Sequence, residues 1–305
     1  MAIDLSTLTF TNQADIVPTS GTAEIINNGT ANTLGGDDKI TGTSTSSNPG
    51  ISNSASGAIN TGGGNDSISG TSTSGIGFGG FAIGNTGIID GGDGNDSISG
   101  TAISGAGIGI SNNGSTIAGG NGNDSISGKS STGVGVGILN NSGTINAGNG
   151  NDSISGIGFG SEGVGILNSS IILGGNGDDT ITGSGKFIGI SSNDGTIDTG
   201  NGEDIVDALV GGFRGNGTTS MGNGSDIVKG YGTGRFDGGN GPDTLLYPPA
   251  TYTVSSNINN DGYYTVTNQL GRIMLVKNFE TIGSANNPAN TFSFASVIGQ
   301  SFPIN

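Results

Sequence analysis

Gly119-Gly-Asn-Gly-Asn-Asp124-Ser-Ile-Ser-Gly128 spends six residues on a turn and four on an extended run. Three glycines give the backbone access to positive φ, an aspartate closes the turn, and polar–apolar alternation then signals a strand. The pattern recurs. Aligned on its aspartate, it places Asp38, Asp66, Asp96, Asp124, Asp152, Asp179, Asp204, Asp226 and Asp243 in one register, at intervals of 28, 30, 28, 28, 27, 25, 22 and 17 residues. Two residues after each aspartate stands an aliphatic residue, from Ile40 to Leu245; two residues before each stands glycine, from Gly36 to Gly241. Seven residues before, Ile59, Ile89, Ile117, Ile145, Ile172 and Ile197 form a second aliphatic row, replaced by Thr219 and Phe236 in the shorter units. A glycine-rich disordered polymer would not hold three positions in phase.

Each full unit reads as three short extended pieces, such as Asp124–Gly128, Val134–Ile138 and Gly143–Asn146, separated by glycine and asparagine turns. One unit cannot bury its apolar face alone. Stacked as parallel coils about 4.8 Å apart, equivalent residues lie over one another and isoleucines form inward ladders. The fold class is therefore all-β: a right-handed parallel β-solenoid, three-sided where coils have about 28 residues and two-sided where they shrink to 17. Asn53, Asn85, Asn113, Asn141, Asn168 and Asn193 are expected to form an outer ladder near the second turn. Turn geometry alone would also explain asparagine there.

Composition narrows the chemistry. Of 305 residues 65 are glycine; there is no cysteine, histidine or tryptophan, and the formal charge is −16. Each glycine opposes folding by roughly 0.5–1 kcal/mol relative to alanine, so a narrow apolar core needs help. With 24 acidic against 8 basic residues, nucleic acid is an unfavourable partner and cations are favourable ones. Without Cys or His, any metal site must be built from oxygen, which favours calcium. Stacked carboxylates about 5 Å apart repel by about 3 kcal/mol at an effective dielectric of 20. A divalent ion between adjacent loops, taking carboxylates and glycine carbonyls, turns that repulsion into cohesion. Turn chemistry alone would accept asparagine in place of the aspartate, and no unit makes that exchange.

Gly91-Gly-Asp-Gly-Asn-Asp96, Gly174-Gly-Asn-Gly-Asp-Asp179 and Gly238-Gly-Asn-Gly-Pro-Asp243 resemble the nonapeptide Gly-Gly-x-Gly-x-Asp-x-aliphatic-x of hemolysin-type (RTX) calcium-binding repeats. The resemblance covers roughly residues 33–246. It implies several calcium ions held by Asp38, Asp66, Asp96, Asp124, Asp152, Asp179, Asp204, Asp226 and Asp243. It also implies ligation by the carbonyls of Gly92, Gly94, Gly120, Gly122, Gly148, Gly150, Gly175 and Gly177. The family places nonapeptides in tandem, with calcium on both edges; here one loop per coil implies a single column. Asp38 follows a shortened loop, Leu34-Gly-Gly-Asp-Asp38, and Asp226 lacks the leading glycine.

Residues 1–31 are read as an N-terminal cap, with Leu5, Leu8, Phe10, Ile16 and Val17 over the open core, and 32–246 as the solenoid. Residues 247–305, where four of the five tyrosines lie, read as an antiparallel β cap around an Asp261-Gly262 turn. The N-terminus shows no signal-peptide pattern and no run is long enough for a membrane helix. The resemblance implies export by a type I secretion apparatus reading the C-terminal region, and so an extracellular or cell-surface address.

The function expected is non-enzymatic: a calcium-folded structural, surface or matrix protein, with self-association or an acidic polysaccharide as partner. Two alternatives stand beside it. A polysaccharide epimerase or lyase would need a catalytic cluster, and only Arg214, Lys229, Tyr231 and Arg235 suggest one. An ice-binding or adhesive module would need a regular threonine array. Thr43-Ser-Thr45 and Thr71-Ser-Thr73 begin one, but Ala102-Ile103 and Ser130-Ser131 do not continue it.

Overall fold

In a computed structural model, which describes residues 2–73, 80–103, 105–131, 133–258 and 260–305, the chain winds into a parallel β-solenoid. Three sheets of twelve, nine and thirteen strands form its walls. One coil serves for all. Ser125–Ser130 leaves the aspartate along sheet I, Val136–Asn141 crosses sheet II, and Thr144–Asn149 climbs sheet III to the next glycine loop. Each strand pairs in parallel with its counterparts above and below, with Ile126 opposite Ile98 and Ile154, and Ile145 opposite Ile117 and Ile172.

That register follows from the inward rows. Ile68, Ile98, Ile126, Ile154 and Ile181 line sheet I; Ile59, Ile89, Ile117, Ile145, Ile172 and Ile197 line sheet III; Ile51, Ile83, Ile110, Ile138, Ile166 and Ile190 line sheet II. All are buried. Burying one such side chain is worth roughly 1.5–3 kcal/mol, and a one-residue slip would turn every one of them outward.

Sheet II ends at Phe213–Gly215, while sheets I and III continue. The coil flattens to two sides as its length falls. Aromatic rings fill the space: Phe213 packs on Phe236 at 4.7 Å, and Tyr231, Tyr247 and Tyr252 cluster at 4.9–5.1 Å between centroids.

The C-terminal strands Ala250–Val254, Tyr264–Asn268 and Ile273–Lys277 pair antiparallel. Two pairings then rejoin the solenoid. Ile273–Lys277 lies parallel to Arg235–Asp237, and Thr281–Ser284 lies parallel to Thr244–Tyr247, so a further two-sided coil runs beyond Leu246. At the other end Ala2–Asp4, Ile16–Val17 and Thr30–Asn32 begin the three sheets. Leu5 and Val17 are buried there and Phe10 packs against the core, whereas Leu8 and Ile16 are exposed.

The asparagine ladder differs from expectation. It is buried, and it runs Asn27, Asn53, Asn85, Asn112, Asn140, Asn168, each Nδ2 donating to the next Oδ1 at 2.8–3.0 Å. Asn113 and Asn141 are exposed beside it, and Ser192, not Asn193, aligns with Asn168. The cause is turn length. Asn112-Asn-Gly-Ser115 carries one residue more than Asn85-Thr-Gly87 before the next strand, so counting back from the aspartate lands one position off.

Candidate metal centre

The glycine loops stack along the edge where sheet III meets sheet I. Four residues before the aspartate, Gly92, Gly120, Gly148 and Gly175 have φ of +100° to +123°; two before, Gly94, Gly122, Gly150 and Gly177 have +114° to +133°. Closeness requires glycine a second time. A Cβ on Gly120 would meet the Gly92 carbonyl at 2.0 Å, and one on Gly122 the Gly94 carbonyl at 1.9 Å. No side chain fits between these coils.

The two glycine rows present their carbonyls differently. At the position four before, the carbonyl takes an amide from the next coil, as Gly62 does from Asp93 at 2.7 Å and Gly200 from Asn223 at 2.9 Å. At the position two before, no backbone amide among the described residues donates to the carbonyls of Gly94, Gly122, Gly150 or Gly177. Of the eight carbonyls singled out from sequence, these four have the freer oxygens.

All nine aspartates come together in one buried column, each at most 3 % exposed. Oδ1 of each accepts the backbone N–H of the aspartate one coil earlier: Asp96 N–H to Asp124 at 2.7 Å, Asp124 N–H to Asp152 at 2.6 Å, and so through Asp226 N–H to Asp243 at 2.9 Å. Asp38, despite its shortened loop, stands in the same column, accepting from Asp15 N–H and donating its own to Asp66. Asp226 is fully buried in line with the rest.

The other carboxylate oxygen has nothing. Oδ2 of all nine aspartates is buried without a hydrogen-bond partner among the described residues. Leaving one such acceptor dry costs on the order of 1–3 kcal/mol, more for a charged group. Burial accordingly pushes five of these carboxyls well up, against the pull of the amide each accepts: Asp96, Asp152 and Asp243 to about 6, Asp179 and Asp226 to about 7, with neighbouring carboxylates adding to the rise. Asp66, Asp124 and Asp204 move the same way for the same first reason.

A carbonyl stands near several of these oxygens. The point where a Gly119 Cβ would sit is 2.5 Å from Asp124 Oδ2 and 2.3 Å from the Ala147 carbonyl of the next coil; at Gly174 the same point is 2.6 Å from both Asp179 Oδ2 and the Thr199 carbonyl. Two acceptors flank one spot. Thr33, Thr61 and Thr199 occupy this loop position in other coils, and their hydroxyls donate to the carbonyls of Thr61, Gly91 and Met221 at 2.7–2.8 Å. Among the described residues no three acidic side chains meet. A cation here would therefore take one carboxylate per coil together with main-chain carbonyls, a hard, all-oxygen donor set that suits calcium.

Two features escaped the sequence. Glu280, 37 residues beyond Asp243 and outside the repeat, ends the column by accepting Asp243 N–H at 2.7 Å. A second, exposed ladder flanks it: Asn121, Asn149, Asn176, Asn201, Asn223 and Asn240 are linked through side-chain amides at 2.7–2.8 Å. Its regular place three residues before each aspartate was visible; its pairing needed the stacking.

Three of the residues that suggested a catalytic cluster lie on three different walls, and the fourth is buried. Arg214 lies on sheet II, Lys229 on sheet I, and Arg235 on sheet III near Asp261 at 3.6 Å. Tyr231 is buried with its hydroxyl 2.7 and 2.6 Å from the carbonyls of Val266 and Arg272.

Fold and edge together define a parallel β-solenoid with a buried carboxylate column. No family model and no curated protein matches the chain. Among solved structures it is similar to a hyperactive, Ca2+-dependent, β-helical antifreeze protein from an Antarctic bacterium, with 22% identity over 78% of this chain and 72% of that one. The TM-score is 0.39, a superposition too loose to carry function from one protein to the other. No helix among the described residues is long and apolar enough to cross a membrane.

Proposed function

We propose that the chain is a calcium-binding structural protein of the RTX-like kind, folded by cations along the aspartate edge and acting outside the cell without catalysis. The observation that carries this reading is the column of nine buried, unpartnered Oδ2 atoms. Asp66, Asp96, Asp124, Asp152, Asp179, Asp204, Asp226 and Asp243 would hold the ions, with Asp38 at the column's start and the carbonyls of Gly94, Gly122, Gly150 and Gly177 beside them. Bound calcium supplies the positive charge that nine dry carboxylates lack. In the low calcium of a cytoplasm the carboxylates would repel and the glycines would favour an unfolded, exportable chain; millimolar calcium outside would fold it. Export by a type I apparatus, self-association and an acidic-polysaccharide matrix belong to the same reading.

Circular dichroism tests it at pH 8. Chelator should abolish the β signal, calcium should restore it, and magnesium at equal concentration should not. Equal β content with chelator and with calcium would end the proposal.

A second reading, an ice- or surface-binding module, draws on the outer face of sheet I. Ser67, Ser97, Ser125, Ser153 and Thr180 align in one hydroxyl row, and Ser69, Ser99, Ser127, Ser155 and Thr182 in another. Thermal hysteresis of the calcium-loaded protein tests this reading; its absence would dismiss ice.

A further inference from the structure

The place where sheet II stops is built unlike the rest of the molecule. Phe213–Gly215 is its last strand, followed among the described residues by an isolated bridge from Phe213 to Gly232. Loss of the third wall leaves a step, and the turn between Tyr264–Asn268 and Ile273–Lys277 brings Arg272 to its rim. The resulting notch has a volume of about 290 Å3 and is lined by Phe187, Phe213, Arg214, Thr233 and Arg272 among others.

Its charge runs against the protein's. Of eight basic residues on a chain of net charge −16, Arg235 and Lys277 are paired with Asp261 and Asp237. Arg214 and Arg272 are both exposed, and among the described residues neither has an acidic side chain within ion-pair distance. Phe187, 53% exposed, carries the Arg214 guanidinium over its ring at 5.4 Å, which holds that fork at the notch. Thr233 Oγ1 accepts Gly215 N–H at 3.0 Å, which leaves its O–H free to donate. One coil group earlier along the same corner Lys129 lies over Phe159 at 5.1 Å, so cation and exposed aromatic recur together.

From this geometry we infer a binding site for a carboxylate-bearing sugar residue, such as a uronate of an acidic glycan. Two guanidinium groups offer paired N–H donors of the kind that match a carboxylate. The Thr233 hydroxyl meets a sugar hydroxyl, and the exposed Phe187 ring gives the apolar C–H face something to rest on. At the lower end of ligand-pocket sizes, the notch takes one sugar residue, with the neighbouring ones of a chain running outside it. The site rests on the acidic-polysaccharide part of the proposed function but uses neither the aspartate column nor the glycine loops, so its failure would leave the calcium-folding part untouched.

The experiment is a calorimetric titration of the full chain, calcium held constant, with a short galacturonate oligomer, the neutral galactose oligomer of equal length, and inorganic phosphate. The acidic oligomer should bind, the neutral one and phosphate at least about tenfold more weakly, and Arg214→Ala and Arg272→Ala should each lower the acidic oligomer's affinity by about tenfold or more. Both arginines are exposed, so both variants should keep the wild-type circular dichroism; if one does not, Arg→Lys at that position, which keeps the charge but loses the fork, should still weaken binding. No binding by wild type, undiminished binding by the variants, or phosphate bound as tightly as the oligomer would overturn the assignment.

Discussion

Two buried ladders of short polar side chains run along this solenoid, the asparagines from Asn27 to Asn168 and the aspartates from Asp38 to Asp243, and they are chemically unequal. In the asparagine ladder every amide from Asn53 to Asn168 both donates and accepts, and only the Oδ1 of Asn27, at the ladder's start, lacks a partner among the described residues; Asn140 Nδ2 reaches Asn168 Oδ1 at 2.9 Å and the Ile171 carbonyl at 2.9 Å while its own Oδ1 receives Asn112. Stacking closes it on itself. In the aspartate ladder each carboxylate only accepts; Oδ1 is satisfied by the neighbouring coil's amide and Oδ2 by nothing. Both are equally dry and equally regular. The first is finished as structure, whereas the second needs a proton or a cation from outside, and that asymmetry is what points to a ligand.

Moving a carboxylate into the finished ladder breaks the comparison most severely. Asn140→Asp removes two donated hydrogen bonds and buries a charge beside Asn168 Oδ1 and the Ile171 carbonyl, both acceptors. An uncompensated buried charge costs about 3–5 kcal/mol. Chemical denaturation at pH 8 should show a loss of that order. Calcium should not repair it, because no glycine loop adjoins the site, whereas acid should repair part of it.

Protonation is the next largest lever. Burial raises five of the column's carboxyls from 3.8, those of Asp96, Asp152 and Asp243 to about 6 and those of Asp179 and Asp226 to about 7. A carboxyl raised on folding contributes stability that is full below about 4 and lost as pH rises through 6 to 7. Metal-free protein should therefore melt higher at pH 5 than at pH 8. With calcium the order should narrow or reverse, since only the ionised carboxylate holds the ion. Thermal melts at the two pH values, with and without chelator, read the outcome directly.

Much of this is legible in the sequence, because a solenoid translates sequence period into spatial contact almost one to one. The isoleucine rows, the three walls and their reduction to two follow from interval lengths. Asp38 and Asp226 show that the aspartate register tolerates altered loops. The misses have separate causes. Asn112 and Asn140 were missed because a turn can absorb an extra residue without disturbing the strands on either side, so phase counted across a turn is unreliable where phase within a strand is not. Glu280 was missed because the excursion through Tyr252 and Val266 breaks the period before the last coil resumes it. Which carbonyls stay free of amides depends on hydrogen-bond direction, on which glycine spacing is silent.

Replacing one carboxylate within the open ladder sharpens the contrast at lower cost. Asp124→Asn keeps an acceptor for Asp96 N–H and replaces the orphan oxygen with an amide donor on the side flanked by the Ala147 carbonyl. In chelator at pH 8 the variant should be more stable than wild type by about 1–3 kcal/mol, the cost of the unsatisfied atom it removes. In calcium it should be less stable, and should bind fewer ions by calorimetry. A variant stabilised equally under both conditions would mean that the column holds no ion at this coil.

The smallest effect belongs at the end of the column. Glu280 accepts Asp243 N–H as the aspartates do for one another, but it is exposed and solvent can satisfy its second oxygen. Glu280→Gln retains an acceptor for that amide and removes only a hydrated charge, so the change should stay within about 0.5 kcal/mol in calcium and in chelator alike. If dryness is what makes the aspartates ion-dependent, this variant must be indifferent to calcium where Asp124→Asn is not. A calcium-dependent shift at Glu280 comparable to that at Asp124 would place the cause in the stacking of charges and not in their burial.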